Sequence, residues 1–209
     1  MIKVINVSKS YKNLCLFKDV NVKFNMGKKI LISGINGSGK SVFLKLLVGY
    51  EKPDKGKIII DEFQIGKNKD FIPNSGVSIN APEFIGNLTG MENLLYLANI
   101  RKIAKKGDIV ALAQKLDFVE DLNKKYNTYS LGMKQKLRII QALMDKPRYL
   151  ILDEPFDALD QESKENTMKL LNEFTNKDTI LVFTSHEKEN EKFADVIFEI
   201  QDLDLVKIK

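Results

Sequence analysis

The sequence predicts an α/β protein with a mostly parallel sheet, an N-terminal antiparallel β part and an inserted helical block. Three observations carry this. Short apolar runs, Ile30-Leu31-Ile32, Tyr149-Leu150-Ile151-Leu152 and Ile180-Leu181-Val182-Phe183, read as strands buried on both faces. Stretches of helical period separate them. Between about residues 89 and 145 only the helical period is present.

The elements follow in order. Val20, Val22 and Phe24 alternate with Asn21, Lys23 and Asn25, the pattern of a half-buried strand, and Met26-Gly27 turns the chain. Ile30-Leu31-Ile32 leads into a glycine-rich loop. Beyond it, residues 41–50 read as a helix with Phe43, Leu46 and Leu47 on one side. Pro53-Asp54-Lys55-Gly56 is a turn, and Ile58-Ile59-Ile60 and Val77-Ser78-Ile79 are strands. Three helices follow, marked by Leu94, Leu95, Leu97 and Ala98, by Ile109, Val110, Leu112, Ala113 and Leu116, and by Leu137, Ile140, Leu143 and Met144. A helix over 161–175 separates the last two apolar strands, and residues 196–200 and 203–208 close the sheet. The 209 residues are expected to form a single domain, with its core over about 1–80 and 146–209 and a helical subdomain over about 81–145.

Composition narrows the function class. A hydrophobic share of 44% against 29% charged residues excludes wholesale disorder. Every apolar run falls short of the roughly 18 residues a membrane helix needs, and no signal-peptide stretch opens the chain, so the chain is expected not to cross a bilayer itself. The single cysteine, Cys15, excludes an internal disulfide and points to a reducing compartment. The net charge of +5 is mild, and all but three of the 33 basic residues are lysines. Arginine is the usual reader of phosphates and bases, so the lysines read as a solvated surface and no nucleic-acid partner is expected.

Chemistry concentrates in two motifs. Gly34-Ile35-Asn36-Gly37-Ser38-Gly39-Lys40-Ser41 lies between a strand and a helix and fits the phosphate-loop pattern in full. Its glycines, Gly34, Gly37 and Gly39, let consecutive N–H groups of Asn36, Ser38 and their neighbours point into one anion-binding concavity. The following helix aims its positive end at the same place. Lys40 supplies a point charge for the terminal phosphates, and the Ser41 hydroxyl suits Mg²⁺. The core is thus that of a P-loop NTPase. The second motif, Asp153-Glu154-Pro155, ends the apolar strand 149–152. Ligands of open parallel sheets bind at the carboxyl ends of strands. Asp153 would meet the Mg²⁺ held by Ser41, and Glu154 would orient or deprotonate the water that attacks the γ-phosphate. A third stretch, Ser130-Leu131-Gly132-Met133-Lys134-Gln135, precedes an amphipathic helix. By itself it reads as a capped helix start.

The order of these motifs resembles the nucleotide-binding subunits of ATP-binding-cassette (ABC) transporters over nearly the whole chain. The matching stretches are Tyr11, Gly34 to Ser41, the region from Val77 to Thr89, Ser130 to Met133, Asp153-Glu154, Asp157-Ala158-Leu159-Asp160 and Thr184-Ser185-His186. The resemblance implies that the chain is a Mg²⁺-dependent ATPase and that Tyr11 stacks on adenine. It further implies that His186, the one histidine, touches the γ-phosphate and holds Glu154 and the water. Ser130 and Gly132 would bind the γ-phosphate on a second ATPase subunit, and Asp160 would lie at that boundary. The partners implied are this second subunit, identical or closely related, and a transmembrane permease. Placement is then cytoplasmic, peripheral on the inner face of the cell membrane.

The pattern departs from the family in two places. The signature reads Tyr-Ser-Leu-Gly-Met, a variant similar to the group that exports bacitracin and lantibiotic-type peptides. The usual loop glutamine is replaced by Asn80, a candidate Mg²⁺ ligand whose amide is one methylene shorter, so that direct contact with Mg²⁺ or the water would be lost or mediated by solvent, with Glu83 as a nearby substitute. The implied function is ATP hydrolysis that powers a separate permease for export of a peptide or antimicrobial compound. The alternative is a soluble ABC ATPase acting on ribosomes or DNA.

Overall fold

The structure is a computed structural model and describes every residue except Asn13. The element order is β1 (Ile2–Tyr11), β2 (Leu14–Phe24), β3 (Lys28–Ser33), α1 (Lys40–Val48), β4 (Lys55–Ile60), β5 (Phe63–Gln64), β6 (Ser75–Ser78), α2 (Gly90–Arg101), α3 (Lys106–Lys115), α4 (Leu131–Leu143), β7 (Tyr149–Leu152), α5 (Gln161–Phe174), β8 (Ile180–Thr184), β9 (Val196–Gln201) and β10 (Asp204–Lys207). Three short 3₁₀ turns join them. Two sheets result. One is antiparallel, in the order β2-β1-β4-β5; the other has the order β10-β9-β3-β8-β7-β6. In the second sheet every pairing is parallel except that of β10 with β9.

The apolar strands are wholly apolar because both faces of the second sheet are covered. Ile30, Ile32, Ile151, Ile180 and Val182 face α1 and the antiparallel sheet. Leu31, Leu150, Leu152, Leu181 and Phe183 face the other way, into a core shared with α2–α5. Alternate residues of one strand thus belong to two cores. Helix α1 buries Phe43, Leu44, Leu46 and Leu47 in the first of them.

The helical segment between β6 and β7 is fixed at its starts. Thr89 accepts from the Glu92 N–H at 3.1 Å, and the Glu92 carboxylate accepts from the Thr89 N–H at 2.7 Å, a reciprocal cap for α2. Ser130 caps α4 through the Met133 N–H at 3.2 Å, and Asp160 caps α5 through the Ser163 N–H at 2.8 Å. Helix α4 crosses edge strand β6 so closely that a Cβ at Gly76 would lie 1.8 Å from the Ala142 carbonyl oxygen. Only glycine allows that approach.

The opening of the chain belongs to the antiparallel part, for which the sequence alone sets no strand bounds before Val20. Residues 2–11 form one ten-residue strand. Its alternation is broken by register shifts against β2 and β4 and by Asn6, which adopts φ 51°. Such irregularities interrupt a period-2 pattern without ending the strand.

Candidate functional site

The phosphate loop joins β3 to α1. Three of its glycines have positive φ: Gly34 at 146°, Gly37 at 80° and Gly39 at 103°. At Gly39 the need is doubled, because a Cβ would sit 3.0 Å from the Phe17 ring. No side chain caps α1, so its first N–H groups stay turned toward the loop. The Ser38 hydroxyl is buried without a hydrogen-bond partner among the described residues. Uncapped donors, an orphaned hydroxyl and a positive helix end together suit the phosphates of a nucleotide. Lys40 is 6% exposed, and its ammonium donates to the Gly34 and Ile35 carbonyls at 2.9 and 3.2 Å. Its charge is therefore held inside the loop.

The acidic strand end is wired to its neighbour strand. The Thr184 hydroxyl donates to Asp153 Oδ1 at 2.6 Å and accepts from the Glu154 N–H at 2.9 Å. A single fully buried oxygen thus orients both acidic residues. Asp153 Oδ2 accepts from the Asn80 N–H at 3.4 Å. Ser41, Asn80, Asp153 and Glu154 line one cavity of about 330 Å³, together with Asp157 and residues of α4. Ser41 and Asp153 offer it two hard oxygen donors, the chemistry Mg²⁺ requires.

His186 Nδ1 lies 3.4 Å from Glu154 Oε1 and 4.0 Å from Asp157 Oδ1. Burial first, then the hydrogen bond and charge of Glu154, push the Asp157 carboxyl up to about 6; His186 pulls it the other way. His186 also lines a second cavity of about 540 Å³ with Gly34, Ile35 and Asn36. The histidine therefore stands between the acidic pair and the phosphate loop.

The other candidates are placed elsewhere. Tyr11, at the end of β1, is 40% exposed, with the Lys9 ammonium 4.9 Å from its ring centroid. Burial and then Glu51 push its phenol up from the usual tyrosine range. Ser130 is exposed and serves α4 as its cap. Gly132 meets the backbone after the acidic strand: a Cβ there would be 2.9 Å from the Ala158 carbonyl oxygen. Among the described residues, neither Ser130 nor Gly132 lines the two cavities. Asp160 caps α5, and the Ser163 N–H holds its carboxyl below the usual range.

Four residues acquire parts that the motifs alone do not reveal. Thr184 and Asp157 fall within motif stretches, but Thr184 reaches Asp153 and Glu154 only when β7 and β8 pair, and Asp157 reaches Glu154 only through the turn after β7. Gln135 donates to the Glu154 carbonyl at 3.2 Å. Arg138 is 7% exposed and reaches the loop after Asn80. The sequence signal available was the placement of Gln135 and Arg138 three residues apart, on one side of a helix.

A third cavity of about 330 Å³ opens on the outer side of the Asn80 loop. It is lined by Ile79, Pro82, Glu83, Phe84, Tyr96 and Leu97 among others, including Tyr50 from beyond α1. Among the described residues, no helix is long and apolar enough to cross a membrane.

The comparisons with known proteins agree with this geometry. The ABC transporter family matches residues 17–157. The ergothioneine transport ATP-binding protein EgtV of Helicobacter pylori (strain G27) is 31% identical, over 97% of this chain and 98% of that protein. The bacitracin transport ATP-binding protein BcrA of Bacillus licheniformis is 33% identical over 88% of this chain and 61% of that protein. Among solved structures, a dimeric post-hydrolysis ATP-binding cassette bound to ADP and phosphate superposes with a TM-score of 0.86 at 26% identity, covering 100% of this chain and 99% of that one. The chain belongs to the ABC transporter family and is an ATP-binding, ATP-hydrolysing subunit of a transporter.

Proposed function

We propose that the chain hydrolyses ATP in a closed pair of cassettes and so drives a separate membrane permease that exports a peptide or other antimicrobial compound. The observation that carries the reading is the split of the site. Ser41, Asp153 and Glu154 line one cavity and His186 lines another with the phosphate loop, whereas Ser130 and Gly132 line neither: Leu131 between them borders the first, and the Ser130 side chain is exposed at the start of α4. A second chain, identical or closely related, brings its own Ser130 and Gly132 to the γ-phosphate. Tyr11 holds the adenine by stacking, with Lys9 behind the ring. Asp160, at the start of α5, lies at the boundary between the chains.

Within one site, the loop N–H groups and Lys40 bind the phosphates. Glu154 accepts a hydrogen bond from the attacking water and takes its proton as the water oxygen bonds to the γ-phosphorus and the bond from that phosphorus to the β–γ bridging oxygen breaks, releasing ADP and phosphate. His186 keeps the Glu154 carboxylate in line and contacts the γ-phosphate. Ser41 and Asp153, with Asn80 close by, would hold Mg²⁺, which when bound neutralises phosphate charge. Half of the charge stabilisation comes from the partner, so an isolated chain binds ATP and turns it over slowly.

The apolar cavity beside Pro82, Glu83 and Phe84 suits a short helix of the permease. This contact would keep the chain at the inner face of the membrane. The chain works as one domain, in which the helical subdomain of about 81–145 shares its core with the sheet. The likeness to BcrA and the Ser-Leu-Gly-Met signature favour a peptide cargo.

Glu154→Gln is expected to trap an ATP-bound dimer, read by size-exclusion chromatography with ATP and Mg²⁺. A species that stays monomeric counts against the shared site. Deleting the chain from its host is expected to raise sensitivity to bacitracin-type peptides, with no complementation by Glu154→Gln. Unchanged sensitivity removes the cargo and leaves the ATPase.

A further inference from the structure

Arg138 lies in the middle of α4, nearly buried, and its guanidinium is shared among partners distant in sequence. Nε donates to the Pro82 carbonyl at 3.0 Å, and one terminal nitrogen donates to the Ala81 carbonyl at 3.4 Å. The other donates to Gln135 Oε1 at 3.4 Å. Glu83 adds an ion pair at 3.5 Å. Gln135 in turn donates through Nε2 to the Glu154 carbonyl at 3.2 Å. One continuous chain of donors therefore runs from the Ala81-Pro82 backbone to the backbone of the carboxylate that faces the water.

The loop held in this way is strained. Asn80 and Ala81 both have positive φ, 56° and 45°, as does Glu154 at 48°. A side chain other than glycine keeps such a conformation only when its surroundings fix it. At the loop's other end the Asn80 N–H donates to the Asp153 carboxylate, and the Asp153 N–H donates to the Ser78 carbonyl at 2.7 Å. Arg138 supplies the opposing tie. A lysine could not do so fully, because the fork geometry of a guanidinium serves two carbonyls and an amide at once. Arg138 also lines the cavity that contains Ser41 and Asp153, while the residues it grips, Pro82 and Glu83, line the apolar cavity outside.

We infer that Arg138 is a positioning residue for hydrolysis: it clamps the Asn80–Glu83 loop and, through Gln135, sets the position of Glu154. The inference rests on the reading of Glu154 as the residue that activates water. Arg138 makes no hydrogen bond to the phosphate loop among the described residues, so its loss should leave nucleotide binding alone.

The test measures Mg-ATP hydrolysis by the purified chain. Arg138→Met, which keeps the apolar stem, is expected to lower kcat by about tenfold while KM for ATP stays within about twofold. Arg138→Lys, with one charged donor, is expected to recover part of the loss. Gln135→Met alone should lower kcat in the same direction. Combined with Arg138→Met it should add little, because both act through one chain of contacts. A kcat within twofold of the parent, a parallel loss of ATP affinity, or additivity of the two substitutions would overturn the inference. If Arg138→Met fails to fold, Arg138→Lys and Gln135→Met decide alone, and undiminished kcat in both overturns it. Glu154→Gln run alongside separates the two levels. Activity retained there defeats the reading of Glu154 itself. Activity lost there but untouched in the Arg138 and Gln135 variants defeats only the clamp.

Discussion

Thr184→Val isolates the contact on which the acidic strand end depends. The substitution keeps shape and volume and removes one oxygen. That oxygen donates to the Asp153 carboxylate at 2.6 Å and accepts from the Glu154 N–H at 2.9 Å, in a residue with no exposed surface. A hydrogen bond to a charged group contributes about 1.5–3 kcal/mol, and leaving a buried donor unpaired costs about 1–3 kcal/mol. The two overlap, since valine no longer has a hydroxyl to desolvate, and a net loss of about 3 kcal/mol is expected. With a urea m-value near ~3 kcal/mol/M, the unfolding midpoint should fall by about 1 M. Catalysis should suffer separately. With the Asp153 carboxylate and the Glu154 backbone both released, kcat should drop at least about tenfold, or ~1.4 kcal/mol of transition-state stabilisation. Thr184→Ser is the control. It keeps the oxygen and loses a methyl group, at about 1 kcal/mol, with kcat largely retained. Urea titration and steady-state hydrolysis read both effects. If the valine variant lost less than about 1 kcal/mol and kept its kcat, or if serine proved as harmful as valine, the reasoning would fail.

Lys40→Ala should abolish binding of a fluorescent ATP analogue with little change in melting temperature, because Lys40 bonds only to the loop's own carbonyls; retained binding would remove the phosphate-loop assignment. Asp157→Asn should stabilise the chain at pH 8 and only roughly half as much at pH 5. The folded carboxyl, at about 6, keeps its proton to a higher pH than the unfolded one, so parent stability falls as pH rises from the unfolded value through about 6, and the asparagine variant escapes that loss. Thermal melts at the two pH values check it, and an equal gain at both would show that desolvated charge is not the cause. Gly76→Ala should destabilise by more than about 3 kcal/mol, since the new Cβ meets the Ala142 carbonyl at 1.8 Å and main chain must move; a melting temperature within a degree or two of the parent would mean that α4 does not need this close crossing.

Much of this molecule can be read in residue order because its strongest signals are local. The phosphate loop is eight consecutive residues whose backbone conformations demand glycine at fixed places, and strand and helix flank it as expected. The buried strands are short runs with no polar residue, since both sheet faces are covered. What escapes is pairwise and distant. Arg138 is one of three arginines in a lysine-rich chain, and nothing in its neighbourhood says that it is buried against carbonyls 56 and 57 residues earlier. Strand β1 looks like fragments because Asn6 and the bulges disturb its alternation. Asp157 stands three residues after Glu154, but its approach to that carboxylate depends on the tight turn from Glu154, at φ 48°, to the Asp157 N–H, which donates to the Glu154 carbonyl at 3.2 Å.

The positions of backbone strain give the site its logic. Asn80, Ala81, Glu154 and Ala158 all take left-handed conformations without being glycine. Each costs about 1–3 kcal/mol, and such residues persist only where neighbours over-determine them. Here the neighbours can be named: Asp153 on the Asn80 N–H, Arg138 on the Ala81 carbonyl, Thr184 on the Glu154 N–H and Gln135 on the Glu154 carbonyl. Gly132, pressed on the Ala158 carbonyl, lets the start of α4 lie against the turn beyond. Left-handed residues occur elsewhere in the chain too, but these two segments line the reacting cavity, and they are tied to each other through Gln135 and Arg138 of α4, the helix whose first turn bears the signature. A displacement of α4 bears on both segments, because the Arg138 contacts to the Ala81 and Pro82 carbonyls and the Gln135 contact to the Glu154 carbonyl belong to that helix, while Asp153 and Thr184 hold the other sides from the sheet. The same helix carries Ser130 at its exposed start; under the proposed pairing, a second cassette closing there would press on the helix that also holds Glu154 and the Asn80 loop.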